Sequence, residues 1–169
     1  MKPQTVPYRR KREQRTNYRK RIRLLLSGKP RLVVRITNQK IIAQLIEFAP
    51  HGDKVVAGLD SFCLRQMGWP ASSASCKSIP AAYATGILTG KEAVRKGYQE
   101  AILDTGFKSA VRQGRIAAFL KGAVDAGMKI PVTSDTGEIF PSPERLNGQH
   151  LKKAVKLNEM LNEIRAKAK

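Results

Sequence analysis

The sequence predicts an α/β fold: a mixed sheet with an antiparallel three-strand meander followed by helix, strand and helix, plus a basic N-terminal arm and a C-terminal helix. Three observations carry this expectation. Three short β-rich runs lie within residues 31–60 and are joined by tight turns. After residue 79 the apolar spacing changes to a helical period, broken only by a short AILD run. The first 31 residues hold twelve Lys or Arg against Glu13 alone, which describes an arm rather than a core segment. At 169 residues the chain can bury a real core as one domain with tails. The expected parts are a basic arm and short helix (1–28), an α/β core (29–130), and a connector with a C-terminal helix (131–169).

Met1 to Arg15 has little apolar content beyond Val6 and Tyr8 and is expected to be disordered alone. Thr16 or Asn17 caps a short helix that Gly28 and Pro30 stop. Tyr18, Ile22, Leu25 and Leu26 share one face of it, predicted to be the inner one, with Arg19, Lys20 and Arg23 outside. RLVVRIT (31–37) alternates, with Leu32, Val34 and Ile36 on one side and Arg31, Val33, Arg35 and Thr37 on the other. Asn38-Gln39 reads as a two-residue hairpin loop into KIIAQLIEFA (40–49). The turn Pro50-His51-Gly52-Asp53 then leads into KVVAGLD (54–60).

Residues 61–79 read as irregular. Pro80 opens a helix ending at Gly97, along which Ala82, Gly86, Gly90 and Ala93 form a small-residue stripe. Close packing on the sheet is the favoured reading of that stripe; close approach of an RNA backbone is the other. AILDTG (101–106) reads as a short buried strand and GRIAAFLKGAVDAG (114–127) as a helix with Ile116, Phe119, Leu120, Ala123 and Val124 inward. A turn-rich connector follows. The last twenty residues read as a helix with Leu151, Val155, Asn158 and Leu161 or Asn162 on one side.

The net charge of +19 is blocky, and such an excess points to a polyanion. YRRKREQRTNYRKRIRLL (8–25) alone carries nine Arg or Lys. Like charges a turn apart repel by a few tenths of a kcal/mol (about 0.2–0.5 each), so this segment expects an anionic cover. A membrane surface fits poorly, because no apolar run approaches about 18 residues and no signal-peptide core is present. An organellar transit peptide would be richer in Ser. Cys63 and Cys76 are too far apart for a C-x-x-C site and read as free thiols in a reducing compartment; His51 and His150 lie in separate turns. No metal, cofactor or small-molecule substrate is expected.

Catalysis has one candidate constellation. Asp60 and Asp104 end the third and fourth strands, and with Glu92 they loosely suggest a metal-dependent nuclease on a ribonuclease-H-like fold, or a free RNA-processing factor. That chemistry needs three or four converging carboxylates, whereas Asp at a strand end commonly caps the following turn. TGILTGKE (85–92) looks like a phosphate loop but lies inside a helical pattern, with no GxxxxGK[ST]. RNA binding fits better. Arginine forks bind phosphate in pairs of hydrogen bonds, and Tyr8 is free to stack on an unpaired base, while Tyr18 matches the helix's apolar face.

YRRKRE, TNYRKRIRLLLSGKPRLVVRITNQKIIAQLI, the GWP–IPAAYATGILTGKEA region, LDTG, FLKGAVDAGMKIP and EIFPSPERLNGQH, in that order, resemble a ribosomal family. It is the universal large-subunit protein eighteen family, protein five in eukaryotes, and the length is similar to the archaeal form. FKSAVRQGR (107–115) departs from the family's usual loop. The resemblance implies a structural, non-enzymatic protein that binds 5S rRNA in the central protuberance of the cytoplasmic large subunit. Its implied partners are 5S rRNA, large-subunit rRNA and neighbouring ribosomal proteins. The candidate RNA contacts are Tyr8, Arg9, Arg10, Lys11, Arg12, Arg15, Arg19, Lys20, Arg21, Arg23, Lys29, Arg31 and Arg35, then the turn Thr37, Asn38, Gln39 and Lys40, and on the long helix Thr85, Thr89 and Lys91.

Overall fold

The structure, a computed structural model, describes residues 5–70, 75–108, 111–132, 139–151, 161–164 and 166. Four strands form one sheet: β1 (Arg31–Ile36), β2 (Ile41–Glu47), β3 (Lys54–Asp60) and β4 (Ile102–Asp104). Their order is β3-β2-β1-β4, with β1–β2 and β2–β3 antiparallel and β1–β4 parallel. The predicted meander and mixed sheet are therefore observed. The helices are α1 (Arg9–Arg12), α2 (Tyr18–Leu25), α3 (Cys63–Gln66), α4 (Ile79–Arg95), α5 (Arg115–Asp125) and α6 (Pro143–Leu146).

Alternation along β1 and β2 sets the two faces of the sheet. Leu32 stands opposite Leu45 and Val34 opposite Ala43, all four buried beneath α4 and α5. Arg31, Val33 and Arg35 point to the other face. Thr37 closes the Asn38-Gln39 loop: its N–H donates to the Lys40 carbonyl at 2.9 Å and its hydroxyl accepts from the Lys40 N–H at 3.0 Å. Between β2 and β3 the register slips, with Leu45 opposite Ala57 but Ile46 opposite Val55, so Val56 is an extra residue.

Ser78 caps α4 by accepting from the Ala81 N–H, and Gly97, at φ +87°, ends it. Gly127, at φ +98°, does the same beyond α5. The small-residue stripe is close-packed, but its glycines meet α5 rather than the sheet. A Cβ at Gly86 would run into the Phe119 carbonyl, one at Gly90 into Ala126 and the Ala123 carbonyl, and one at Gly122 into the Tyr83 carbonyl. Glycine on both helices thus lets the backbones touch, and Phe119 fills the space beside them with no exposed surface. The core extends to Leu146, Leu161 and Ile164, so the C-terminal region closes over it.

Several expectations need correction. The arm is not wholly without structure, since α1 forms within it and the Arg15 N–H bonds to the Arg10 carbonyl at 2.9 Å. α3 and α6 interrupt segments read as irregular. On α2 the apolar face is only partly covered: Tyr18 and Leu25 are half-buried, Ile22 is 57% and Leu26 82% exposed, and no residue of the helix is buried. Polar contacts from Lys20 and Arg21 complete its docking. In the predicted C-terminal helix, residues 161–164 and 166 are helical with Leu161 and Ile164 buried. Val155 and Asn158 lie outside the described residues.

Candidate nucleic-acid interface

The face of the sheet opposite α4 and α5 carries charge where a sheet usually carries apolar or neutral polar groups. β1 places Arg31 and Arg35 there, and the strand-end Asp104 arrives beside them because β4 runs parallel to β1 with Val33 opposite Asp104. Arg31 donates through Nη1 to Asp104 Oδ2 at 3.2 Å and through Nη2 to Asp53 Oδ2 at 2.6 Å. Its side chain is 5% exposed. Arg35 donates to the Asp104 carbonyl at 2.8 Å, with its other terminal nitrogen 3.5 Å from the carboxylate. Asp104 also caps its own turn, its Oδ1 accepting from the Gly106 N–H at 2.8 Å.

The arm lies across this charged floor. From α2, Arg21 Nη2 reaches Asp53 Oδ2 at 2.9 Å, and Lys20 Nζ donates to Thr105 Oγ1 at 2.8 Å and to the Gly106 carbonyl at 3.1 Å. Asn17 caps α2 by accepting from the Lys20 N–H. Arg10 bonds Thr16 Oγ1 at 2.9 Å, folding α1 back beside α2. A cleft of about 210 Å³ remains between arm and sheet, with Arg10, Arg15, Lys20, Arg21, Arg31 and Arg35 in its wall against only Asp53 and Asp104. Arg31 Nε and Asp53 Oδ1 are buried there without a hydrogen-bond partner.

The predicted RNA-contact residues differ in their surroundings. Lys11, Arg12, Arg19 and Arg23 stand exposed with no acid against them among the described residues, and Tyr8 is 74% exposed with its ring 5.4 Å from that of Tyr18. Arg9 and Arg15 share Glu13 at the surface, and Lys29 pairs with Glu100 at 2.9 Å. Thr37, Asn38 and Gln39 are exposed at the hairpin tip. Arg10, Lys20, Arg21 and Arg35 form the cleft wall and remain in reach of a ligand. Arg31, Thr85 and Thr89 do not.

Those last three are corrections. Arg31 is enclosed by its two carboxylates, so it organises the floor rather than meeting a partner. Thr85 and Thr89 are fully buried on α4, each hydroxyl donating to the carbonyl four residues back, of Ala81 and Thr85, as a helical Thr does when it faces a core. Lys91 is half-buried on the other side of the molecule from the arm, beside Leu59 and Met67, and burial pushes its pKa down.

Lys40 Nζ lies 2.5 Å from Asp60 Oδ2, and this bond chiefly, helped by the Phe62 N–H, holds the Asp60 carboxyl below its ordinary range. Asp60 closes β3 and Asp104 closes β4, at opposite edges of the sheet. Three strand spacings place them roughly 14 Å apart, whereas a two-metal site needs its cations about 4 Å apart. Among the described residues no three His, Cys, Asp or Glu side chains gather to hold a metal ion. Among them too, no helix is long and apolar enough to cross a membrane.

Sequence reasoning missed Asp53, which it took as a turn residue. The available signal was that Asp53 is the only acid between Glu47 and Asp60, next to a strand pair that turns Arg31 inward with Val33. The ionic roles of Asp104 were missed as well, although its capping role was expected and is observed.

A sequence model of the family described as "Ribosomal large subunit proteins 60S L5, and 50S L18" matches residues 2–102. The Large ribosomal subunit protein uL18 of Natronomonas pharaonis is 44% identical over 147 residues, which cover 87% of this chain and 77% of that protein. The family-model match takes in the arm, β1, β2, β3 and α4 and ends at the first residue of β4, so it covers the arm and the β1 arginines of the cationic face. The chain belongs to the family of ribosomal large subunit proteins 60S L5 and 50S L18, structural components of the ribosome rather than enzymes.

Proposed function

We propose that this chain binds 5S rRNA through its N-terminal arm and the adjoining sheet face, and anchors that RNA in the central protuberance of the large subunit. One observation carries the reading. Lys11, Arg12, Arg19 and Arg23 project outward without acidic partners, while Lys20 and Arg21 of the same segment are spent on docking α2 to the sheet. Charge left uncompensated on a docked helix costs self-repulsion in the free protein, and a phosphate backbone removes that cost. Tyr8, exposed beside Tyr18, supplies an aromatic plane on which an unpaired base can stack. Asn38 and Gln39 at the hairpin tip add exposed donors. The cytoplasmic ribosome and contacts to large-subunit rRNA and neighbouring proteins belong to the same proposal.

The test is a salt titration of 5S rRNA binding by the full chain and by a variant lacking residues 1–15. Roughly 6–10 phosphate contacts lower affinity by about 10³–10⁵ between 50 and 200 mM salt. Loss of the arm flattens that dependence while the circular dichroism of the core persists. A wild-type affinity that is flat in salt, or equal for 5S rRNA and an unrelated RNA of the same length, overturns the reading.

A further inference from the structure

Two large apolar side chains that the fold leaves in water meet in one groove. Phe107 is 56% and Val111 68% exposed, and with Ile36 and Ile116 they line a cavity of about 570 Å³ between the end of β1, the loop after β4 and the start of α5. Hydrogen bonds fix both walls. Lys108 Nζ donates to the Ile36 carbonyl at 2.6 Å, which ties the loop to the last residue of β1. Opposite, the Gly114 N–H donates to the Val111 carbonyl at 3.1 Å and the Gln113 N–H to the Ile139 carbonyl at 2.9 Å. Val111 therefore stands on a closed turn that ends at the N-cap of α5. Lys108 and Arg115, both exposed, form the rim, and no acid lines the groove. Neither cation has an ion-pair partner among the described residues.

We propose that this groove docks an acidic segment of a partner protein, whose apolar side chains enter it while its carboxylates meet Lys108 and Arg115. Contiguous apolar side chains held in water within a polar rim mark a protein-interaction surface. The sign of the rim selects the partner: a positive, acid-free border attracts a carboxylate-bearing segment and repels a basic one. RNA fits less well. Its phosphates would pair with the rim, but Val111 and Ile36 offer a base neither a hydrogen-bonding group nor a flat face to stack on. An amphipathic helix supplies both needs, with apolar residues one turn apart on one face and acids beside them. Apart from Ile36, the lining residues lie beyond the 2–102 span of the family match, so the groove is not part of what places the chain in its family.

The test is an amide NMR titration of the full chain, without RNA, at about 150 mM salt, where long-range attraction to the arm is screened. The probe is a synthetic amphipathic peptide of about 15 residues with Leu and Phe on one helical face and Glu on the other. The amides of Phe107, Lys108, Gly114 and Ile116 are expected to shift and to saturate together. A poly-glutamate peptide of the same length is expected to move only amides of the arm. Phe107→Ser with Val111→Ser should weaken the groove response about tenfold or more. The arm's response and the melting temperature should not change, because both side chains are exposed. If the double variant melts early, Val111→Glu gives the same reading through charge repulsion alone. Groove amides that stay still, or that follow poly-glutamate equally, overturn the proposal. So does a uridine oligonucleotide that shifts them as strongly as the peptide, which would assign the groove to RNA. The peptide titration contains no RNA, so failure of the 5S reading leaves its outcome unaffected.

Discussion

Asp53 Oδ2 lies 2.6 Å from Arg31 Nη2 and 2.9 Å from Arg21 Nη2, so one carboxylate oxygen joins a buried sheet arginine to the helix of the arm. Removing one partner of a buried ion pair costs about 3–5 kcal/mol because the other charge is stranded. Asp53 keeps 21% of its side chain exposed and Arg31 retains Asp104. Asp53→Ala should therefore destabilise by about 2 kcal/mol, below that range. Arg21→Ala, at a position 36% exposed, should cost under about 1 kcal/mol. Both should speed amide exchange across α2 equally. Thermal melts and hydrogen exchange check the pair, and a Arg21→Ala cost equal to that of Asp53→Ala would contradict the burial of Arg31.

The α4–α5 contact makes a sharper demand. A methyl at Gly86 or Gly122 would meet a backbone carbonyl of the facing helix, which cannot swing away as a side chain can. Overpacking of this kind costs about 1–3 kcal/mol or more. Gly58→Ala is the control: its Cβ would find only side-chain atoms, at 3.6 and 3.8 Å. Gly86→Ala and Gly122→Ala should lower the denaturant midpoint clearly, and Gly58→Ala only slightly.

That crossing shows how far sequence reasoning reached. The closeness of α4's packing was legible in Gly86 and Gly90, but its partner was not, because spacing names a face and not what lies against it. The meander, the Gly97 end of α4, and the turns closed by Asp60 and Asp104 followed from local chemistry alone, whereas the Ser78 cap of α4 lay in a segment read as irregular. α2 misled for a physical reason. Its apolar stripe predicted burial, yet the helix is held by Lys20 and Arg21 to polar groups that β3's approach and β4's end supply, and those contacts have sequence separations of 85 and 32 residues. Arg31 misled likewise: an arginine on a β1 face shared with Val33 looks exposed until Asp53 and Asp104 close over it. Thr85 and Thr89 carry donors suited to RNA, but their hydroxyls are satisfied within α4, which is what lets them be buried.

The Lys40–Asp60 bridge gives a pH dependence with a definite sign. The folded carboxyl titrates below its ordinary value of 3.8, so the unfolded chain takes up its proton first on acidification. The bridge's contribution is fully present above that value and is lost as pH falls through the lower, folded one. With both side chains about a third exposed, it is worth under about 1 kcal/mol. Lys40→Met should lower stability by that amount near neutral pH and by nothing at the acid limit. A constant difference between wild type and variant down the acid limb would assign the effect to packing on Phe62, whose ring centre is 5.1 Å from Lys40 Nζ.

At the hairpin tip the same bridge decides which residues probe RNA cleanly. Lys40→Ala removes a structural ion pair, and Thr37→Ala removes the hydroxyl that closes the loop. Asn38 and Gln39 have no such duty. Asn38→Ala with Gln39→Ala should weaken 5S rRNA binding about fivefold to thirtyfold, since one or two hydrogen bonds are worth about 1 kcal/mol each. The melting temperature should not move. Unchanged affinity in this double variant would remove the turn from the proposed interface.

Asp104 tests the structural reading of the carboxylates against a catalytic one. Its Oδ1 accepts from the Gly106 N–H while Oδ2 faces Arg31, and the residue is 7% exposed. Asp104→Asn retains an acceptor for the turn but removes the charge opposite Arg31, leaving that guanidinium only Asp53. Asp104→Ala removes both. Stability should fall in that order, by about 2 kcal/mol for Asn and 3–4 kcal/mol for Ala, the second including the half-buried Gly106 N–H left without its acceptor. Asp60→Asn, at a side chain 31% exposed, should cost less than either. RNA affinity, corrected for the folded fraction, should stay near wild type for Asp60→Asn, whereas Asp104→Asn should lower it slightly, because Lys20 anchors α2 to Thr105 and Gly106 in the turn that Asp104 caps. A nuclease would behave otherwise. Purified protein with Mg²⁺ or Mn²⁺ would cut RNA, and Asp60→Asn and Asp104→Asn would each abolish cutting despite their unequal effects on folding. The two carboxylates stand at opposite edges of a four-stranded sheet, roughly 14 Å apart, too far to share a pair of cations. Incubation with labelled 5S rRNA and either cation should leave the RNA intact for the wild type and both variants.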